Sequence, residues 1–157
     1  MNKLKKVKLS LMIGLLLVLT TSSTCSNDDD NPSNGNNPSD VIAIVNNGTW
    51  RITYYFDNNQ LETNNYNGYN FSFGPNNVLT ATNGANTITG FWSITDSNSN
   101  DDSSFSDLDF NIAFSAPPSF EELADDWNII EKSATLIKLK DVSGGNGDID
   151  YLTFAKN

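Results

Sequence analysis

Carboxylates are the reactive groups this chain has in quantity: it carries 19 Asp and Glu, no His and one Cys, Cys25. Neighbouring acids such as Glu121/Glu122 and Asp125/Asp126 are the residue type that hydrolyses glycosides, a reaction needing one carboxyl protonated and its partner ionised. Adjacent acids in a solvated turn are poor candidates, because one must be buried for its pKa to rise. Asp96-Ser97-Asn98-Ser99-Asn100-Asp101-Asp102, continuing to Asp107, sets oxygen donors at alternating positions, as a calcium loop does. Asp101 stands where that turn needs Gly, and the closing Glu is missing. Gly144-Gly145-Asn146-Gly147-Asp148 has the composition of a calcium β-roll repeat but occurs once, and one repeat cannot build that structure. Both read as polar turns, and no metal is expected. Without His there is no His-based dyad or triad, and one thiol excludes most zinc, copper and haem sites. Neither a cofactor nor enzymatic activity is expected.

The second set is aromatic: Trp50, Tyr54, Phe56, Tyr69, Phe71, Phe73, Trp92, Phe110, Phe114 and Trp127. Such rings either line a pocket for an apolar ligand or fill a core, since a small β-barrel has just enough interior for one or the other. Trp50, Tyr54, Phe71, Trp92, Phe110 and Trp127 are the candidate ligand-binding residues on the first reading. Short strands and bulky inward residues favour the second.

Charge separates the chain into two parts. Lys3, Lys5, Lys6 and Lys8 precede an apolar run, Leu9 to Leu19, whereas every acid lies beyond Cys25. The part after Cys25 has five basic residues against 19 acidic, 5 − 19 = −14. A surface that acidic repels phosphate backbones, so nucleic acid is excluded as a partner. A run of eleven residues is too short to span a bilayer, which needs about twenty, but suits the apolar centre of an export signal. Residues 26–40 (SNDDDNPSNGNNPSD) hold no apolar side chain except two prolines. They cannot bury enough surface to offset their conformational entropy and are expected to form a tether.

Beyond the tether the periodicity is that of strands. Ser39-Asp40 is the expected cap of a helical turn through Val45, ended by Asn47-Gly48. Trp50, Ile52, Tyr54 and Phe56 then alternate with Arg51, Thr53, Tyr55 and Asp57, which predicts a strand with the first set inward. Further strands are predicted over 69–73, 78–82, 87–95, 108–114, from Trp127, over 135–140 and over 149–154. Asn83-Gly84 predicts a tight hairpin turn, Gly90 a bulge or bend, and Ser119–Ala124 a short helix after Pro117-Pro118. Trp-x-Ile recurs at three strand starts: Trp50/Ile52, Trp92/Ile94 and Trp127/Ile129. Eight short antiparallel strands predict an all-β, up-and-down barrel, whose closure removes exposed edges; an open β-sandwich is the alternative.

Two resemblances add to this reading. Thr20 to Thr24 followed by Cys25 resembles a bacterial lipobox, although Ser22 and Thr24 replace the usual Leu and small residue. The acidic Ser26–Asn31 resembles the stretch after the lipidated cysteine in Bacteroidota lipoproteins. The resemblance implies a signal peptide over 1–24, acylation of Cys25, a tether to residue 40, and an outer-membrane lipid anchor at the cell surface. Gly48-Thr49-Trp50, after a short helix and opening a strand, resembles the Gly-x-Trp signature of lipocalins, and 41–157 is similar to short lipocalin-like domains of such lipoproteins. It implies that Trp50 closes one end of the barrel. The family's late arginine is missing: the only arginine is Arg51. The function expected is that of a membrane-anchored lipoprotein binding a small apolar ligand or glycan. The alternative is a non-enzymatic structural or interaction lipoprotein with a solid core and an unidentified protein partner.

Overall fold

The computed structural model describes residues 37–96, 108–142 and 148–157. The expected signal peptide, Cys25, the tether up to residue 36, most of the Asp-rich loop and Gly144–Gly147 lie outside the described residues. Helix α1 spans Pro38–Val45. Its cap is Asn37, whose side chain accepts from the Asp40 N–H at 3.0 Å, so the cap lies upstream of the expected Ser39-Asp40. Pro38 explains the earlier start: its fixed φ suits the first turn, where no N–H is needed. Val41 and Val45, one turn apart, are both buried.

Nine strands are present among the described residues: β1 (Trp50–Asp57), β2 (Gln60–Leu61), β3 (Asn70–Phe73), β4 (Val78–Thr82), β5 (Thr87–Asp96), β6 (Leu108–Ala113), β7 (Asp125–Lys132), β8 (Leu136–Val142) and β9 (Ile149–Lys156), with helix α2 (Pro118–Glu121) between β6 and β7. β2 only doubles back on β1, pairing Leu61 with Phe56. The other eight run antiparallel, each beside the next, and β9 returns to β1 from Trp50↔Lys156 to Phe56↔Tyr151. The protein is thus a closed eight-stranded up-and-down barrel, and the sandwich alternative falls away. Closure is thinnest between β1 and β3, which share one pair, Trp50↔Phe71. There a 3₁₀ turn, Thr63–Tyr66, takes over the edge: Thr63 Oγ1 accepts from the Tyr55 N–H at 2.9 Å, and the Glu62 N–H donates to the Tyr55 carbonyl at 2.9 Å.

Two bulges change which residues face inward. In β1 the pairing with β9 slips between Ile52 and Tyr54. The extra residue reverses the side-chain alternation. Trp50 and Ile52 point inward as expected, but beyond the bulge Tyr55 is buried and Tyr54 is 41% exposed. The expected inward Tyr54 and Phe56 therefore lie on the outer side, their rings parallel within 8°. A second slip, between Ile129 and Glu131, leaves Ile130 outside.

Gly90 is not at a bulge; its register with Leu79 is regular. It is small because Phe114 lies against it: a Cβ there would collide with the Ala113 carbonyl oxygen and stand 2.6 Å from the Phe114 ring. Gly90→Ala should therefore lower the unfolding free energy by about 1–3 kcal/mol. Urea denaturation would measure it, and a neutral result would mean that the Ala113 carbonyl and the Phe114 ring both give way freely. The β4–β5 connection is also longer than expected. Its residues 83–86 are closed by the Asn83 side chain accepting from the Asn86 N–H at 2.9 Å, and of Asn83 and Gly84 only Gly84 has positive φ.

Candidate functional site

The barrel interior is occupied by rings. Phe73 packs edge-on against Trp92, Phe110 and Phe154 at centroid distances of 5.3–5.5 Å, and Phe71 meets Phe154 at 5.4 Å. Such edge-to-face pairs add to the burial of the rings themselves. Strand direction alternates, so the segment before β1 and the β3–β4 turn lie at one end, and the β6–β7 connection lies at the other. α1 contributes Val41 and Val45 to the core at the first end. At the second, Phe120 of α2 is buried among Tyr66, Tyr69, Phe71 and Phe114.

Five of the six candidate ligand-binding residues belong to this interior. Trp50, Phe71, Phe110 and Trp127 are at most 1% exposed, and Trp92 is 5% exposed. The three tryptophans also fasten its boundaries. The Trp50 indole N–H donates to the Val45 carbonyl at the end of α1 (2.9 Å), Trp92 to Gly74 in the β3–β4 turn (3.0 Å), and Trp127 to Leu123 just after α2 (3.1 Å). A buried indole N–H needs such a partner, and here each partner belongs to a segment outside the strands. A cation also lies over Trp50: Lys156 Nζ stands 5.8 Å from its ring centroid, supplied by the last strand through the Trp50↔Lys156 pair. The sixth candidate, Tyr54, sits on the outer face. In its place Tyr55 enters the core, its hydroxyl donating to the Glu122 carbonyl at 2.7 Å, while the Tyr66 hydroxyl donates to Ser119. Burial pushes both phenols far up from their ordinary range. Only the position of the bulge separates Tyr55 from Tyr54, and the alternation of residue types in β1 carries no sign of it.

The outer face holds a groove that the strand pattern did not single out. It is about 500 Å³ in volume and runs over β5, β6 and the start of β7, with Phe91, Ser93, Asn111, Ala113, Ala124 and Asp125 on its walls and floor. Phe91 is 65% exposed. It is flanked across the sheet by Val78 on β4 and Ala113 on β6, both also exposed. At the β7 end stand the carboxylates of Asp125 and Asp126. Burial pushes the Asp125 carboxyl up to about 6; the hydrogen bond it shares with the Asp126 side chain and the repulsion of Asp141 and Asp126 add to the shift, while the Asp126 N–H donating to it at 2.8 Å works against it. These two carboxyls are chain neighbours joined through the Asp126 N–H, whereas glycoside hydrolysis requires two carboxyls standing apart across a substrate. Glu121 and Glu122 are both exposed at the end of α2. Among the described residues, no group of three or more Asp, Glu, His or Cys is placed to hold a metal ion.

The raised Asp125 pKa has a definite sign. The folded state binds this proton more tightly than the unfolded chain does. The contribution to stability is therefore full below the ordinary carboxyl pKa of about 4 and is lost as pH rises through about 6. Asp125→Asn should raise the melting temperature at pH 7.5 and leave it nearly unchanged at pH 4. Equal gains at both pH values would show that the carboxylate is not strained.

No family model matches this chain, and no curated protein matches it. Among solved structures, a DUF4847 family protein from Bacteroides vulgatus ATCC 8482 is similar, at 19% identity over 74% of this chain and 97% of that one, with a TM-score of 0.44.

Proposed function

We propose that this chain is an exported lipoprotein, held at the outer membrane through a lipid on Cys25, whose lipocalin-like barrel is a solid, non-enzymatic interaction module. The observation that carries this reading is the filled interior: the residues that would have to line a ligand cup are packed on one another, and segments at both ends contribute buried side chains to the same core. A carrier needs room of several hundred Å³ inside, and making it here would require moving several rings at once. What the molecule presents to its surroundings is its outer surface, where apolar groups such as Phe91, Leu61 and Tyr54 are exposed. The lipocalin-like part of the reading is supported by Trp50 at the α1 end of the barrel, with the Lys156 cation over its ring. The export and anchor part is supported by the basic and apolar start of the chain and the placement of its single cysteine.

The test is titration of the full chain, in detergent below its micelle concentration, with a fluorescent apolar probe. The expected result is weak, non-saturating binding. Phe110→Ala serves as the positive control, because it opens a cavity in the same interior that the probe can enter. Saturation of the unaltered protein at one site, with a shift in Trp emission, would overturn the solid-core reading in favour of a carrier.

A further inference from the structure

The groove beside Phe91 combines two chemistries. Its lining includes the exposed Phe91 ring, the small side chains of Ala113 and Ala124, and the edges of Trp92 and Ile112. At the β7 end the groove closes on Asp125, with Asp126 next in the chain and Asp141 close enough on β8 to act on it electrostatically. Asn111 and Ile112 of β6, which pair with Asp126 and Asp125, are neutral, as is Ala124, and the Asp109 carboxylate further along β6 accepts from the Asn128 side chain. An apolar slot that ends in negative charge is complementary to one kind of occupant. We infer that this groove is a docking site for a peptide segment of a protein partner in which a basic side chain adjoins an apolar one. The apolar side chain lies against Phe91 over Ala113, and the cation reaches Asp125 and Asp126. This rests on the reading of the barrel as a surface interaction module and names the chemistry of what it meets.

Physical complementarity supports the choice. Desolvating Phe91 gives the hydrophobic part of the affinity, and exposed aromatic side chains are characteristic anchors of interfaces. Bringing a cation to Asp125 relieves the mutual repulsion of the carboxylates, which selects a basic segment over a neutral or acidic one. Ser93 and Asn111 are the polar side chains on the β5 and β6 part of the groove, and the Asn111 amide is held by the Thr95 hydroxyl at 2.9 Å.

Selection of a random heptapeptide library on the full chain in detergent tests this. The expected enrichment is for peptides with Arg or Lys next to an apolar residue. Their binding should fall more than about tenfold in Phe91→Ala and weaken in the Asp125→Asn/Asp126→Asn double variant, which should also flatten its dependence on salt. Tyr54→Ala, which removes another exposed aromatic outside the groove, should leave it unchanged, and circular dichroism confirms that the variants are folded. No enrichment, enriched peptides lacking a basic residue, binding indifferent to Phe91→Ala, or self-association that Phe91→Ala abolishes would each overturn the proposal. Those results would leave the solid-core reading standing, because that reading fails only on the apolar-probe titration.

Discussion

Trp127→Ala is expected to lower the unfolding free energy by about 3–5 kcal/mol, the range for deleting a large buried aromatic. Trp127 is 1% exposed, lies edge-on to Tyr55 at 6.3 Å, and donates its indole N–H to the Leu123 carbonyl. Removing it leaves a cavity beside Phe110, its partner across the β6–β7 pairing, and deprives a buried carbonyl of its donor. Against a stability of about 5–15 kcal/mol for a typical domain, such a loss brings the protein close to its unfolding threshold. Trp127→Phe separates the two contributions: it keeps much of the ring volume but removes the N–H, and should cost about 1–3 kcal/mol. Urea unfolding of both variants measures the difference. If Trp127→Ala costs less than about 1 kcal/mol, the interior has room to spare, and the solid-core reading loses its physical basis.

Cys25→Ala is expected to abolish membrane retention altogether. Each buried methylene of an acyl chain contributes about 0.8 kcal/mol, so two or more chains hold a protein firmly while none holds it at all. The only long apolar run is the eleven residues Leu9 to Leu19, too short to span a bilayer. A strongly acidic mature chain is also repelled by anionic headgroups. The variant should incorporate no labelled palmitate and, once residues 1–24 have been cleaved off, appear in the soluble fraction after cell breakage. Persistence in carbonate-washed membranes would show that something other than a lipid on this cysteine holds the protein there.

Much of the barrel is legible in residue types. β4 runs over the five positions its alternation marks, and β6 places Leu108, Phe110 and Ile112 inward as their spacing predicts. The three Trp-x-Ile pairs all face the core, because a Trp and a branched residue two apart on a strand share a face. Where the reading departs from the structure, the cause is an event that side-chain alternation cannot encode. The bulge in β1 is fixed by pairing with β9, about a hundred residues away, and it alone exchanges Tyr54 for Tyr55 in the interior. Gly90 is small because the chain returns at Phe114 to lie on it, a contact between strands rather than a local turn preference. The groove is equally non-local, since Phe91, Asn111 and Asp125 come from three strands and meet only through register.

Residue types by themselves determined that His-based chemistry is absent and that the part after Cys25 carries 14 net negative charges. The alternation of apolar and polar residues likewise marked most of the strands. Those properties depend on residue type and order along the chain, and distant contacts do not alter them. How the aromatic rings meet one another was decided only by tertiary structure. Closing eight strands around so many large side chains brings rings from different strands to centroid distances near 5.4 Å, packed edge to face in the barrel interior.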